Sequence, residues 1–556
     1  MATCLLLSCV LLSALIPATL QLSTPDDDSY IAAVVEYAAV GDKATEKPLD
    51  IVRQNWHKYK KIIKQAARQN ADIIVFPEVG LTGMGLPANR SSLREWLVQV
   101  PDPTAREVPC TSSSSYVSEV LRNASCAARE HRLYVVINLS EECPCPSEDP
   151  TCPTDGIFIY NTNVVFDRNG TVIARYRKFN LFVEPSFNVT PTAELSTFDT
   201  DFGVRFGTFI CFDLLFQAPA LQLVEKLGIT DFVYPTAWFS ELPYLTAAET
   251  QAAWAYALDV NLLASGFNNP PNGNAGSGIY SGRLGPLDVT MPLAQSIKML
   301  IHTVPKKPAR IPISISENSL NRSSQFTDFS GSVPLSEVPT STIGSLRFFQ
   351  DDFRQYKTVL LDTDIENNSG NSTRHTDIDL CHAEFCCHFE ITTDTNPEVQ
   401  GERDSCDREH CGGYYYRLGV FNGVRGFAGI RLAGIQVCGI IPCTKKNDIT
   451  TCGLAKHSSF RPVNVIFKSI RISGDKFQRH SSLQMPTTLT ATVLPLPSST
   501  YEFNVKEAQE DDKNEVELHT KEDVNALIGL ALYGRVYDRD GYIEAQSTAT
   551  SGASRL

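Results

Sequence analysis

From residue 30 to about 300, apolar runs of strand length alternate with segments of helical period, and only a fold that layers sheet and helix absorbs that alternation. "YIAAVVEYAAV" (30–40) reads as strand. "LDIVRQNWHKYKKIIKQAARQN" (49–70) reads as helix, with Ile51, Val52, Trp56, Tyr59, Ile63 and Ala66 on one face. "DIIVFPE" (72–78) is a short buried strand that Pro77 ends. "SYVSEVLRNASCAAREHR", "PALQLVEKLG" and "LTAAETQAAWAYALDV" follow as helices. "LYVVINL", "VRFGTFICF", "DFVYPTAW" and "NLLASGFN" follow as strands, and "DRNG" turns a hairpin. The expected class is α/β, layered, with a mixed sheet.

After residue 305 the texture changes. Residues 306–342 are Pro/Ser-rich and read as a linker or excursion. Residues 343–535 are short-stranded, β-branched and rich in Cys and Gly, which predicts a smaller β-rich domain stapled by disulfides. Within it, the acidic run 506–523 is expected to be solvated linker, and "VNALIGLALYGRVY" an edge strand. Residues 536–556 read as a polar tail. Two domains plus tails suit 556 residues.

Export is the second expectation. Residues 1–22 carry an apolar run too short to span a bilayer and read as a signal peptide, although no Lys or Arg precedes it. Eight Asn-X-Ser/Thr sequons follow. Asn89, Asn123, Asn169, Asn188, Asn321, Asn367 and Asn371 are glycosylation candidates; Asn138, inside a strand-like run, is set aside. A formal charge of −14 argues against a nucleic-acid partner. A secreted monomer or weak dimer is expected, with no transmembrane segment in the mature chain, no cofactor and no metal.

The cysteines sharpen this. Of sixteen, Cys4 and Cys9 lie in the leader, and thirteen crowd into 110–152 and 381–452. Clusters in an oxidising compartment read as disulfides, and the ligand-like "CHAEFCCHFE" is read that way rather than as a zinc site. Cys211 stands alone. Setting it apart leaves thirteen, so at least one more must lack an intramolecular partner.

Three polar residues stand just past apolar strands: Glu78, Lys178 and Cys211. Reactive side chains of α/β proteins gather at such strand ends. The amides of the turn after Cys211 are expected to lower its pKa and to donate to an oxyanion. The side chains then divide the work of acyl transfer: Cys211 as nucleophile, Glu78 as general base, and Lys178 with the Phe212 N–H as oxyanion stabilisers. Each has a plainer reading as well: a structural cysteine, a surface glutamate, a solvated lysine in "RYRK". A papain-like Cys–His pair is disfavoured because no histidine lies between 132 and 301. The loop "NGNAGSG" lacks a phosphate-binding signature.

"DIIVFPEVGLTG", "RYRKFNLF" and "RFGTFICFDLLF" resemble the three signature segments of the nitrilase superfamily, and "VYPTAWFSELPYLTAAETQAAWAYALDVNLLASGFNNP" and "GSGIY" are similar to its vanin and biotinidase branch. The resemblance implies a nitrilase-like α-β-β-α sandwich over 28–305 with a β-rich C-terminal base domain. It also implies a Glu78–Lys178–Cys211 triad hydrolysing a small linear amide. In that branch the amide is pantetheine, giving pantothenate and cysteamine, or biocytin and biotin amides. Glu184 matches a second glutamate loosely, and Trp238 is either a wall of the acyl pocket or a core residue closing a strand. Vertebrate pantetheinases end in a lipid-anchor signal; "STATSGASRL" does not resemble one, so a secreted form is expected. A rival reading keeps the fold as a non-catalytic glycoprotein binding module.

Overall fold

The computed structural model describes residues 22–542, except 147, 309, 311–339, 364–372, 396–412, 428–430, 456–464 and 509–511. Residues 1–21 of the expected signal peptide, most of the expected 306–342 linker, residues 543–556 of the expected tail, and Asn321, Asn367 and Asn371 lie outside the described residues.

The alternating half builds two mixed six-stranded sheets. In the first, Ser29–Glu36, Ile73–Val75 and Tyr134–Pro144 run parallel at the centre. Lys298–Pro305 adds antiparallel on one side, and Ile157–Phe166 then Val172–Arg177 on the other. The second repeats the plan, with Arg205–Thr208, Asp231–Thr236 and Asn261–Gly266 parallel. Thr197–Asp199, Ser277–Ser281 and Pro286–Thr290 flank it antiparallel.

The two-residue period of a strand assigns the faces. Ala32, Val34, Ile73, Val75 and Val136 point at Val233, Leu263 and Ile279 of the second sheet, forming a dry middle layer. Their neighbours Ala33, Val35, Ile74 and Val135 face the helices Pro48–Arg68 and Glu119–His131, through Trp56, Tyr59, Ile63, Leu121 and Ala124. The second sheet's outer face meets helix Ala247–Leu258 through Phe232, Leu262 and Trp254. Helix, sheet, sheet and helix thus stack in that order. The predicted face of the first helix holds, except that Val52 is only half-buried and Asn55 is buried in its place.

The second half forms a five-stranded and a six-stranded sheet around their own core. Five disulfides are formed among the described residues: Cys110–Cys126, Cys145–Cys152, Cys381–Cys386, Cys387–Cys438 and Cys443–Cys452. Cys387–Cys438 ties one sheet to the other, and "CHAEFCCHFE" is committed to disulfides. Cys143 and Cys211 are free.

Three expectations need correction. The acidic run is a hairpin, Tyr501–Glu507 paired with Lys513–Thr520, because Phe503, Val516 and Leu518 point inward while the acidic residues between them face water. The last apolar piece is no edge. Strand Leu527–Tyr542 lies between Arg431–Cys443 and Ser482–Thr490, passing the expected boundary at 535. A strand also begins at Thr340, inside the expected linker, and pairs with Leu346–Gln350. That second strand continues onto Glu241–Leu242 of the first half, so one small sheet spans both halves.

The closed loop sets the worth of a disulfide in the chain-entropy account. Replacing Cys387 and Cys438 by Ala, 51 residues apart, should lower unfolding stability by about 4 kcal/mol. Replacing Cys145 and Cys152, seven apart, should cost about 2 kcal/mol. Urea midpoints of the two variants test the order; the reverse order would contradict it.

Candidate active site

Glu78, Lys178 and Cys211, far apart in sequence, converge where strands of the two facing sheets end. Glu78 follows Ile73–Val75, Lys178 follows Val172–Arg177, and Cys211 opens the turn Cys211–Leu215 after Arg205–Thr208. All three are buried. Lys178 Nζ donates to Glu78 Oε1 at 2.7 Å and also to Glu184 Oε1. Asn161 Nδ2 bridges the same two carboxylates, at 2.8 Å from Glu78 Oε1 and 3.0 Å from Glu184 Oε2. The other Glu78 oxygen accepts the Ala237 N–H at 2.8 Å. The Cys211 sulfur faces that same N–H and the Thr236 hydroxyl.

Charge follows from this packing. Burial disfavours the Lys178 ammonium, but Glu184 and then Glu78 outweigh it and hold the group well above its usual range. Burial raises the Glu184 carboxyl, while Lys178 pulls it back. The Cys211 thiol goes the opposite way from the sequence expectation. Burial and then the Glu78 charge push it up, against the opposing pull of Lys178, Thr236 and Ala237. The physical reason is burial first: a thiolate at Cys211 would be a charge taken out of water, and the adjacent Glu78 carboxylate adds repulsion that Lys178 offsets only in part.

Backbone strain concentrates here. Val79 (φ 50°), Val183 (φ 53°) and Cys211 (φ 47°) all adopt the left-handed region. Two of them are β-branched, for which that region is rare and costly. Each lies at, or next to, one of Glu78, Glu184 and Cys211. The strained Val79 N–H is satisfied by Asn138 Oδ1 at 2.9 Å.

A family model described as carbon-nitrogen hydrolase matches residues 34–253, and one described as vanin C-terminal domain matches 346–540. Vanin-like protein 1 of Drosophila melanogaster is 36% identical over 534 residues, covering 94% of this chain and 88% of that one. Pantetheinase of Mus musculus is 32% identical over 533 residues, covering 94% and 91%. The chain belongs to the vanin branch of the carbon-nitrogen hydrolases.

In this vanin-family chain several site residues escape a motif-level reading. Asn138, set aside as a sequon, is buried and donates to Asn161 Oδ1 (2.7 Å) and Asn163 Oδ1 (3.2 Å), so it anchors the bridge between Glu78 and Glu184. Asp213 is a second hub. It accepts the Ile210 N–H, the Tyr176 hydroxyl, and both the backbone and side-chain N–H of Asn180. Burial pushes its carboxyl up to about 6. The available signal was polar residues at inward positions of apolar strands ("VVINL", "IYNTNVVF"), which must find buried partners. Phe212 packs edge-on to Phe182, Phe216 and Phe427. Trp238 joins the same apolar cluster as Cys211, with its indole N–H donated to Leu245 O at 2.9 Å. Of the sequons, Asn89 and Asn169 are exposed, Asn123 and Asn188 partly so. Among the described residues no group of three or more His, Cys, Asp or Glu could hold a metal, and no helix is long and apolar enough to cross a membrane.

A thiol with a raised pKa remains protonated at neutral pH, and its thiolate appears only above the ordinary cysteine range. The ultraviolet thiolate absorbance of the wild type minus that of Cys211→Ala should therefore stay flat up to about pH 9. A thiolate signal from Cys211 at neutral pH would contradict the effect of burial and of Glu78 described above.

Proposed function

We propose that this chain is a secreted amidase that hydrolyses a small linear amide through a Cys211 thioester, with pantetheine-type amides as the substrate class. The observation that carries the reading is the Glu78 carboxylate, held between the Lys178 ammonium and the Ala237 N–H that faces the Cys211 sulfur. The substrate class rests on relatives such as the mouse pantetheinase. The leader, the disulfides and the exposed sequons Asn89 and Asn169 support export and glycosylation.

The protonated thiol defines the first step. Glu78 takes the Cys211 proton as the sulfur attacks the carbonyl carbon, and the carbonyl electrons move to oxygen. Moving that proton from sulfur to carboxylate leaves the net charge of the buried cluster unchanged, which is why it proceeds where free ionisation does not. Lys178 and the Phe212 N–H stabilise the oxyanion. Collapse breaks the C–N bond, and Glu78 returns its proton to the departing amine. Glu78 then takes a proton from water as the hydroxide oxygen attacks the thioester, the C–S bond breaks, and Glu78 passes that proton to the departing Cys211 sulfur, restoring both groups. Glu184 keeps Lys178 charged throughout, and Asn161 holds both carboxylates in place.

Turnover of a pantothenate-amide dye and of biotinyl-p-aminobenzoate tests the assignment. The dye should be cleaved and Cys211→Ala should be inactive. Glu78→Gln should lose about a thousandfold in kcat, and Lys178→Met about a hundredfold or more. Cleavage of the biotin amide alone would reassign the substrate. Failure on both, or a Cys211→Ala variant equal to wild type, would overturn the amidase.

A further inference from the structure

The second domain reaches the loop behind Cys211 with two arginines. Arg535, fully buried, donates from Nε to Leu215 O at 2.9 Å and is paired with Asp540 at 2.7 Å. Arg431 donates from Nη2 to Asn180 Oδ1 at 2.7 Å, and its guanidinium lies 4.5 Å from the Phe216 ring centroid. Asn180 is two residues past Lys178. Its side-chain N–H donates to Asp213 Oδ1 and to Ala218 O, both at 2.8 Å, and its backbone N–H donates to Asp213 Oδ1 at 2.8 Å. Asp213 Oδ2 then takes the Ile210 N–H at 3.0 Å, one residue before Cys211, and the Tyr176 hydroxyl at 2.7 Å, two residues before Lys178.

A single chain of hydrogen bonds therefore runs from Arg431 to the Asn180 backbone and the Tyr176 side chain, which flank Lys178, and to the entry of the Cys211 turn. A cation on the Asn180 carbonyl polarises the amide, so its N–H groups donate more strongly to Asp213. Cys211 sits in a strained left-handed conformation that its surroundings must enforce. We propose that Arg431 is a positioning residue contributed by the second domain, holding Asn180 so that Asp213 fixes the Cys211 turn against the Lys178 loop. The proposal rests on the amidase reading for its catalytic consequence, but not for its effect on the sulfur.

The test compares wild type with Arg431→Met, Arg431→Lys and Ser498→Ala. Ser498 makes a different contact between the halves, donating to Leu284 O at 2.7 Å, and is the control for loss of such a contact. Three quantities are read: kcat and KM on the pantothenate-amide dye, melting temperature, and the rate at which iodoacetamide alkylates Cys211, followed by peptide mass spectrometry. Arg431→Met should lower kcat about tenfold with little change in KM, and slow Cys211 alkylation comparably. Arg431→Lys should recover part of both, and Ser498→Ala should match wild type in both. Arg431→Met at wild-type kcat and alkylation rate overturns the proposal, whatever its melting temperature. If Arg431→Met does not fold, Arg431→Gln replaces it, and a wild-type alkylation rate there is equally fatal. If wild type cleaves no amide while alkylation still follows Arg431, the amidase reading falls and the positioning role stands.

Discussion

An ammonium group buried between two carboxylates is the constraint around which the first domain is built. Lys178 is 1% exposed and cannot remain charged there without Glu78 and Glu184. Asn161 in turn donates to both carboxylates and ties them to one strand. Burial and the adjacent Glu78 carboxylate keep the neighbouring thiol protonated. The ion pair that lets the fold bury its lysine is thus also what the cysteine meets.

Holding it requires the surrounding polar scaffold. Asn138, Asn161 and Asn163 lie on two adjacent antiparallel strands, with Asn138 directly opposite Asn163. Their amides form a ladder running inward from the sheet to Glu78. Asp213 does the equivalent work behind Cys211. Strained φ values at Val79, Val183 and Cys211 persist because these bonds leave the backbone no cheaper way to aim the three side chains.

Much of this was legible in the sequence, and the limits have physical reasons. Strands and helices of the first half were readable because each buries one face and so keeps its period. Glu78, Lys178 and Cys211 were findable because they stand where apolar runs stop. The hairpin 501–520 was hidden because its acidic residues occupy the solvent face and outweigh the inward Phe503, Val516 and Leu518 in any average over the segment. The central place of Leu527–Tyr542 depends on partners 37 residues away (Thr490 to Leu527) to 111 residues away (Arg431 to Tyr542), which no local pattern reveals. The raised Cys211 thiol was misread because the turn's amides were considered without the burial and the Glu78 carboxylate that act on the sulfur only in the folded chain.

The position of Arg535 carries a consequence in time as well as in space. The carbonyl it holds, Leu215 O, belongs to the turn that opens with Cys211, yet Arg535 lies 320 residues further along, on the last described strand. A ribosome releases that strand long after the first domain has emerged. Until then the turn lacks one of its anchors, and the thiol is present without its finished setting. Assembly of the candidate site is thereby deferred until the disulfide-linked second half is in place to complete it.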